Sequence, residues 1–156
     1  MRFDIPGYGL LDVQHIVCDY NGTLAEDGSL LPGVKEIMDR LAEHVTIHVI
    51  TADTHGSAHS ELADCRCSIH IIGDKDQSRD KRDFVRSLGQ AQTVAVGNGR
   101  NDEGMLAEAA LGIVLIQREG AFRASLMTAD IVCTSIVDAL ELFMKPNRLT
   151  ATLRNA

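Results

Sequence analysis

The chain has 156 residues, 45% of them hydrophobic and 24% charged, and a formal net charge of −7 at neutral pH. That length makes one domain and buries roughly two thirds of the unfolded chain's surface, so folding needs no disulfide or metal staple. The acidic balance excludes a non-specific nucleic-acid binder, which needs clustered cations to release counterions, and it leaves any anionic ligand to be captured by local groups.

The N-terminal stretch Met1-Arg2-Phe3-Asp4-Ile5-Pro6 lacks the apolar core of a signal peptide, and no apolar run approaches membrane-spanning length. A cytoplasmic protein with no membrane partner is expected. The first element is a strand, His15-Ile16-Val17-Cys18-Asp19, which ends in a Gly-containing turn. Residues 25–31 hold Asp27-Gly28, a hairpin signal. Residues 33–44 have helical spacing at Val34, Ile37, Met38 and Leu41, after Pro32. The β-branched run 45–51 predicts a strand, 56–65 a short helix and 68–72 another strand. Residues 81–88 form a helical pattern through Phe84, Val85 and Leu88, and Thr93 to Gly97 is strand-like. Residues 101–110 read as an alanine-rich helix. Strands follow at 111–116 and 130–133, with helices near 121–127 and 135–144. Cys18, Cys65, Cys67 and Cys133 are scattered without a CxxC pair, which favours reduced thiols.

Strand and helix alternate about six times, which implies a parallel sheet with helices on both faces. The expected fold is a three-layer α/β/α Rossmann-like domain over residues 1–145, with a small β-hairpin flap and no large cap domain. Residues 146–156 form a polar C-terminal tail, mobile or docked on a neighbour. Ligands of such sheets bind beyond the carboxyl ends of the strands. The polar residues do collect there. The first strand delivers Asp19-Tyr20-Asn21-Gly22-Thr23, the second Thr51-Ala52-Asp53, and the fourth Gly97-Asn98-Gly99-Arg100-Asn101-Asp102, while the helix after the third begins near Lys81. A carboxylate nucleophile, a hydroxyl, an ammonium and a second acid at one sheet edge suit phosphoryl transfer. Each alone has a plainer explanation as a cap, a turn or a solvated side chain, and the argument rests on all four in order.

Asp19-Tyr20-Asn21-Gly22-Thr23-Leu24 resembles the first motif of the haloacid dehalogenase superfamily of phosphotransferases. Thr51, Lys81 and the stretch from Gly97 to Asp102 resemble the other three. Thr51-Ala52-Asp53, the lysine-to-helix spacing after Lys81, the run AEAALGIVL and the later ADIV look most like the phosphorylation domain of P-type ATPases. The resemblance spans about His15 to Leu142. Between Thr23 and the second strand there is room only for a flap and one helix. The chain therefore looks like a soluble, free-standing relative that pumps no ions.

The resemblance implies roles. Asp19 is the nucleophile and a Mg2+ ligand, with the main-chain carbonyl of Asn21 as a second ligand. Asn21, Gly22, Thr51, Ala52 and Lys81 surround the phosphate of a small phosphorylated substrate. Asn98 and Asp102 bind or orient the metal. Two departures stand out. Phosphatases of the superfamily carry Asp at the position of Asn21, where it moves the leaving-group proton, and a neutral amide cannot do this. Asn98 replaces an Asp and removes charge from the metal site. The expected function is a slow, Mg2+-dependent phosphomonoester hydrolase. The alternative is a low-turnover phosphate- or metal-binding regulatory module. His55 and His59 have a metal-ligand spacing but no third partner, so a solvated helix face is the plainer reading. Lys75 is the rival to Lys81. Without a cap domain, a homo-oligomer, a tetramer, is expected to shield the site.

Overall fold

The computed structural model describes residues 1–53 and 56–156. The chain opens with a hairpin of β1 (Arg2–Ile5) and β2 (Gly9–Asp12), followed by β3 (His15–Asp19). A second small hairpin joins β4 (Ala25–Glu26) and β5 (Ser29–Leu30). Then come α1 (Val34–Leu41), β6 (Thr46–Thr51), α2 (Ser57–Glu61), β7 (Ser68–Ile71), α3 (Gln77–Leu88), β8 (Thr93–Gly97), α4 (Glu103–Glu108), β9 (Leu111–Leu115), α5 (Arg123–Thr128), β10 (Ile131–Cys133), α6 (Ile136–Glu141) and α7 (Pro146–Leu153).

Six strands form one parallel sheet in the order β10-β9-β8-β3-β6-β7. Strands covered on both faces have no polar face to show, which is why β3, β6, β8 and β9 read as nearly continuous apolar runs. One face packs Ile16, Cys18, Val49, Val96 and Ile113 against α1 and α6. The other packs Val17, Ile50, Ala95 and Val114 against α3 and α4. This is the three-layer architecture expected from the alternation.

The register sets the site. Asp19 lies opposite Ile50, one residue before Thr51. Cys18 lies opposite Val96, two residues before Asn98. The chain winds from β3 outward to β6 and β7, then returns to the other side of β3 with β8. The resulting crevice at the strands' carboxyl ends is where ligands of open parallel sheets bind.

The hairpin signal holds. Asp27 and Gly28 have φ of 50° and 83°, the two left-handed positions of a tight hairpin turn. The Tyr20 hydroxyl ties this flap down by donating to the Gly28 carbonyl at 2.8 Å. Three elements differ from the sequence reading. Helix α3 begins at Gln77, so Lys81 sits inside it rather than at its start. The β1–β2 hairpin went unread, because only Phe3, Ile5 and Leu11 mark its buried side. The polar tail contains α7, opened by Pro146 at its first turn and anchored by the buried Leu149. Helix α7 packs against β1, and the Asn155 N–H donates to the Pro6 carbonyl at 3.0 Å. No described helix is long and apolar enough to cross a membrane.

Candidate active site

Asp19 ends the central strand and is almost fully buried. From α3, Lys81 reaches it through a side chain that is 1% exposed, and its Nζ donates to Asp19 Oδ1 at 2.6 Å and to Asp102 Oδ1 at 2.7 Å. Two carboxylates and one ammonium make a buried cluster with a net negative charge. Burial pushes the Asp19 carboxyl up to about 6, the Asp102 carboxylate adds to this, and the Lys81 ammonium opposes both. Burial alone would favour a neutral Lys81 amine, but the two carboxylates overcome it and hold the lysine pKa above its ordinary value.

Asp102 is fully buried, and both its oxygens are taken. Oδ1 accepts from Lys81, while Oδ2 accepts from the main-chain N–H groups of Asn98 at 2.9 Å and Gly99 at 2.8 Å. It fixes the loop after β8 and aims the lysine. Asn98 is 6% exposed. Its Nδ2 donates to the Gly120 carbonyl at 3.0 Å, and its Oδ1 accepts from Thr23 Oγ1 at 3.3 Å. The same hydroxyl lies 3.4 Å from Asp19 Oδ2. Asp19 Oδ2 and Asn98 Oδ1 thus face one another around Thr23, away from the lysine.

Thr51 is buried at the end of β6, and its Oγ1 accepts from the Asp53 N–H at 3.1 Å. With its lone pair engaged, the hydroxyl keeps its own proton to donate. Asp53 takes a left-handed conformation, φ 33°, and its Oδ1 accepts from the Ala58 N–H at 3.2 Å and from Ser57 Oγ at 3.4 Å, which ties Thr51-Ala52-Asp53 to α2. Asn21 is exposed on the other wall, followed by the buried Gly22 at φ 81°. A cavity of about 580 Å3 opens over this floor, lined by Asp19, Asn21, Thr51, Ala52, Lys81 and Asn98 among others.

Asp19, Asn21, Thr51, Ala52, Lys81 and Asn98 therefore line one cavity, while Asp102 holds Lys81 from behind and Gly22 packs against Asn98. Lys81 lines the cavity and Lys75 does not. His59 is exposed on α2, and His55 lies outside the described residues. Among the described residues no three His, Cys, Asp or Glu side chains gather into a metal-holding group. Sequence reasoning missed the loop after β9. Gln117 Nε2 donates to the carbonyls of Gly22 at 3.1 Å and Thr23 at 2.9 Å, while its Oε1 accepts from the Ile136 N–H at 2.9 Å. Glu119 lines the cavity. The signal was available, since both follow an apolar strand as the recognised residues do.

No family model matches the chain. It is 48% identical over 62 residues to an uncharacterised protein of Methanocaldococcus jannaschii, covering 40% of this chain and 67% of that one. A second uncharacterised protein of that organism is 46% identical over 39 residues, 25% of this chain and 89% of that one. A soluble P-type ATPase-like phosphatase of the same organism is 28% identical over 151 residues, and the match covers 92% of this chain but only 55% of the relative. Among solved structures, a 3-deoxy-D-manno-octulosonate 8-phosphate phosphatase from Moraxella catarrhalis, in complex with a magnesium ion, a phosphate ion and a KDO molecule, superposes with a TM-score of 0.67 at 15% identity over 91% of this chain and 94% of that one. A putative phosphatase of the same name from Vibrio cholerae gives a TM-score of 0.73 at 14% identity over 92% and 94%. A zinc-transporting PIB-type ATPase in the E2.Pi state gives 0.64 at 23% identity, over 79% of this chain and 20% of the transporter. The chain has the haloacid dehalogenase fold, in a form that resembles the phosphorylation domain of P-type ATPases, and it belongs to one family with the two short M. jannaschii proteins.

Proposed function

We propose that this chain is a Mg2+-dependent phosphomonoester phosphatase that works through an aspartyl-phosphate on Asp19. The observation that carries the reading is the buried ion cluster, in which Lys81 Nζ lies 2.6 Å from Asp19 and 2.7 Å from Asp102 on the floor of an open cavity. The relative named a soluble P-type ATPase-like phosphatase points the same way.

Asp19 Oδ1, beside Lys81, attacks the phosphorus of a small phosphorylated substrate in line with the leaving oxygen. The new O–P bond forms as the bond to the leaving group breaks. The leaving oxygen takes its proton from water or from the substrate itself, because the Asn21 amide has none to give. Water then attacks the aspartyl-phosphate, releases inorganic phosphate and restores the carboxylate. Lys81 neutralises charge on the phosphoryl oxygens, and the Thr51 hydroxyl, Gly22 and Ala52 hold them. Asp102 positions Lys81 and the Asn98 loop.

The donor set fits a hard cation. Asp19 Oδ2, the Asn98 amide oxygen and the Asn21 carbonyl are all oxygens. Gly22 lets the Asn98 amide oxygen come up against the main chain that follows Asn21, since a Cβ there would lie 2.7 Å from Asn98 Oδ1. Mg2+, when bound by these groups, supplies charge neutralisation at the transferring phosphoryl.

The test is release of p-nitrophenol from p-nitrophenyl phosphate with Mg2+. Turnover is expected from the wild type and not from Asp19→Asn, and equal release from both sinks the reading. Asn21 favours one further reading, a module that is phosphorylated but barely turns over. Phosphate retained on Asp19 without release identifies it.

A further inference from the structure

Asn98 brings an uncharged amide to the site, and the structure places a carboxylate, Glu119, beside it. A methyl group built on Gly22 would lie 2.7 Å from Glu119 Oε2, 2.5 Å from Asn98 Nδ2 and 2.7 Å from Asn98 Oδ1. Three polar atoms from two loops thus converge on one point, beside the main chain that follows Asn21. Glu119 is exposed to solvent at the cavity wall, so a hydrated cation has access to it.

Its position is held on both sides. Before it, Gln117 clamps the carbonyls of Gly22 and Thr23. After it, the Gly120 carbonyl accepts from Asn98 Nδ2 at 3.0 Å, and the Phe122 N–H donates to the Asn98 main-chain carbonyl at 2.8 Å. The Gly120 N–H closes the turn on the Gln117 carbonyl at 2.9 Å. The amide of Asn98 is what docks this turn. A carboxylate there would set an oxygen against the Gly120 carbonyl with no hydrogen to share, and would stand beside a second anion in Glu119. An amide at 98 and a carboxylate at 119 therefore fit as a pair.

We infer that Glu119 supplies the second carboxylate of the metal site, in place of the charge that Asn98 does not carry; this rests on the phosphatase reading above. Asp19, on the central strand, and Glu119, on the loop after β9, would then be the two charged groups that hold the cation. The Asn98 amide serves both, as a neutral oxygen donor towards the cation and as the clasp for the Glu119 turn.

The test is Mn2+ binding to the whole chain, followed by electron paramagnetic resonance of the free ion and by Mg2+ competition. Glu119→Gln should weaken binding about 10- to 100-fold, the loss typical of groups that support a metal site. Glu43→Gln removes the same charge from an exposed residue outside the cavity and should leave affinity within about twofold. Thermal melts of both variants confirm that they are folded. Glu119→Gln that binds as tightly as the wild type, or no more weakly than Glu43→Gln, overturns the assignment and leaves the phosphatase reading standing. A wild-type chain that binds no Mn2+ overturns both.

Discussion

Asn21 stands exposed at the cavity wall, two residues past the buried Asp19. An amide there neither gives the leaving oxygen its proton nor activates water for the second step. Restoring a carboxyl group should raise turnover, since a positioned acid–base group contributes about 10²- to 10⁴-fold. We expect Asn21→Asp to gain more on an alkyl phosphate such as glycerol phosphate than on p-nitrophenyl phosphate, whose phenolate leaves without a proton. Steady-state kinetics on the two substrates check this. No gain on either would mean that Asn21 does not face the leaving group. At this scale much was legible. Asp19, Thr51, Asn98 and Asp102 each follow an apolar run, and parallel sheets gather such residues at one edge. What sequence does not carry is how lone pairs are spent. Both oxygens of Asp102 are consumed by Lys81 and two main-chain N–H groups. Gln117 and Glu119 also follow an apolar strand, but only the fold turns their loop back onto Gly22.

At the level of elements, the short hairpins and the last helix were the hardest to read. Helix α7 offers one fully buried apolar side chain, Leu149, in a polar stretch, too weak a period to announce a docked helix. It gains its partner only in three dimensions, where it packs on the β1–β2 hairpin that was equally faint in sequence. Leu149→Ala should therefore destabilise the chain by about 2 to 5 kcal/mol, as other large-to-small core changes do. Because no residue of α7 lines the cavity, activity per folded molecule should hold. Urea denaturation and p-nitrophenyl phosphate turnover measure the two together. A loss below about 0.5 kcal/mol, the range of ordinary surface changes, would contradict the docking of α7. The flap was easier, because Asp27-Gly28 names its own turn.

For the molecule as a whole, a row of histidines crosses the sheet away from the active site. His15 Nδ1 lies 3.1 Å from His48 Nε2, and His48 Nδ1 lies 3.1 Å from His70 Nε2. Phe84 of α3 covers the row, its ring centroid 4.4 Å from that of His70 and 5.4 Å from that of His48. Burial, reinforced by the neighbouring His15 and His70, lowers the His48 pKa from 6.5 to about 4. Between those two values His48 binds more protons in the unfolded chain than in the folded one, so its own contribution to stability rises with pH across the window. The contribution is complete above 6.5 and is lost as pH falls towards 4. His48→Gln should lose this slope, whatever its stability at higher pH. Melting temperatures of both proteins across the window check it, and parallel curves would contradict it.

The parallel sheet, its helical layers and the edge that carries the site follow from the alternation of apolar runs. The chemistry proposed for that edge is transfer of a phosphoryl group onto Asp19 beside Lys81. The most direct measurement is an acid quench during reaction with Mg2+ and p-nitrophenyl phosphate, followed by borohydride reduction and peptide mass spectrometry. A single modified carboxyl is expected, at Asp19, and it should be absent from Asp19→Asn. Steady release of p-nitrophenol with Asp19 unmodified throughout, or undiminished by Asp19→Asn, would contradict it.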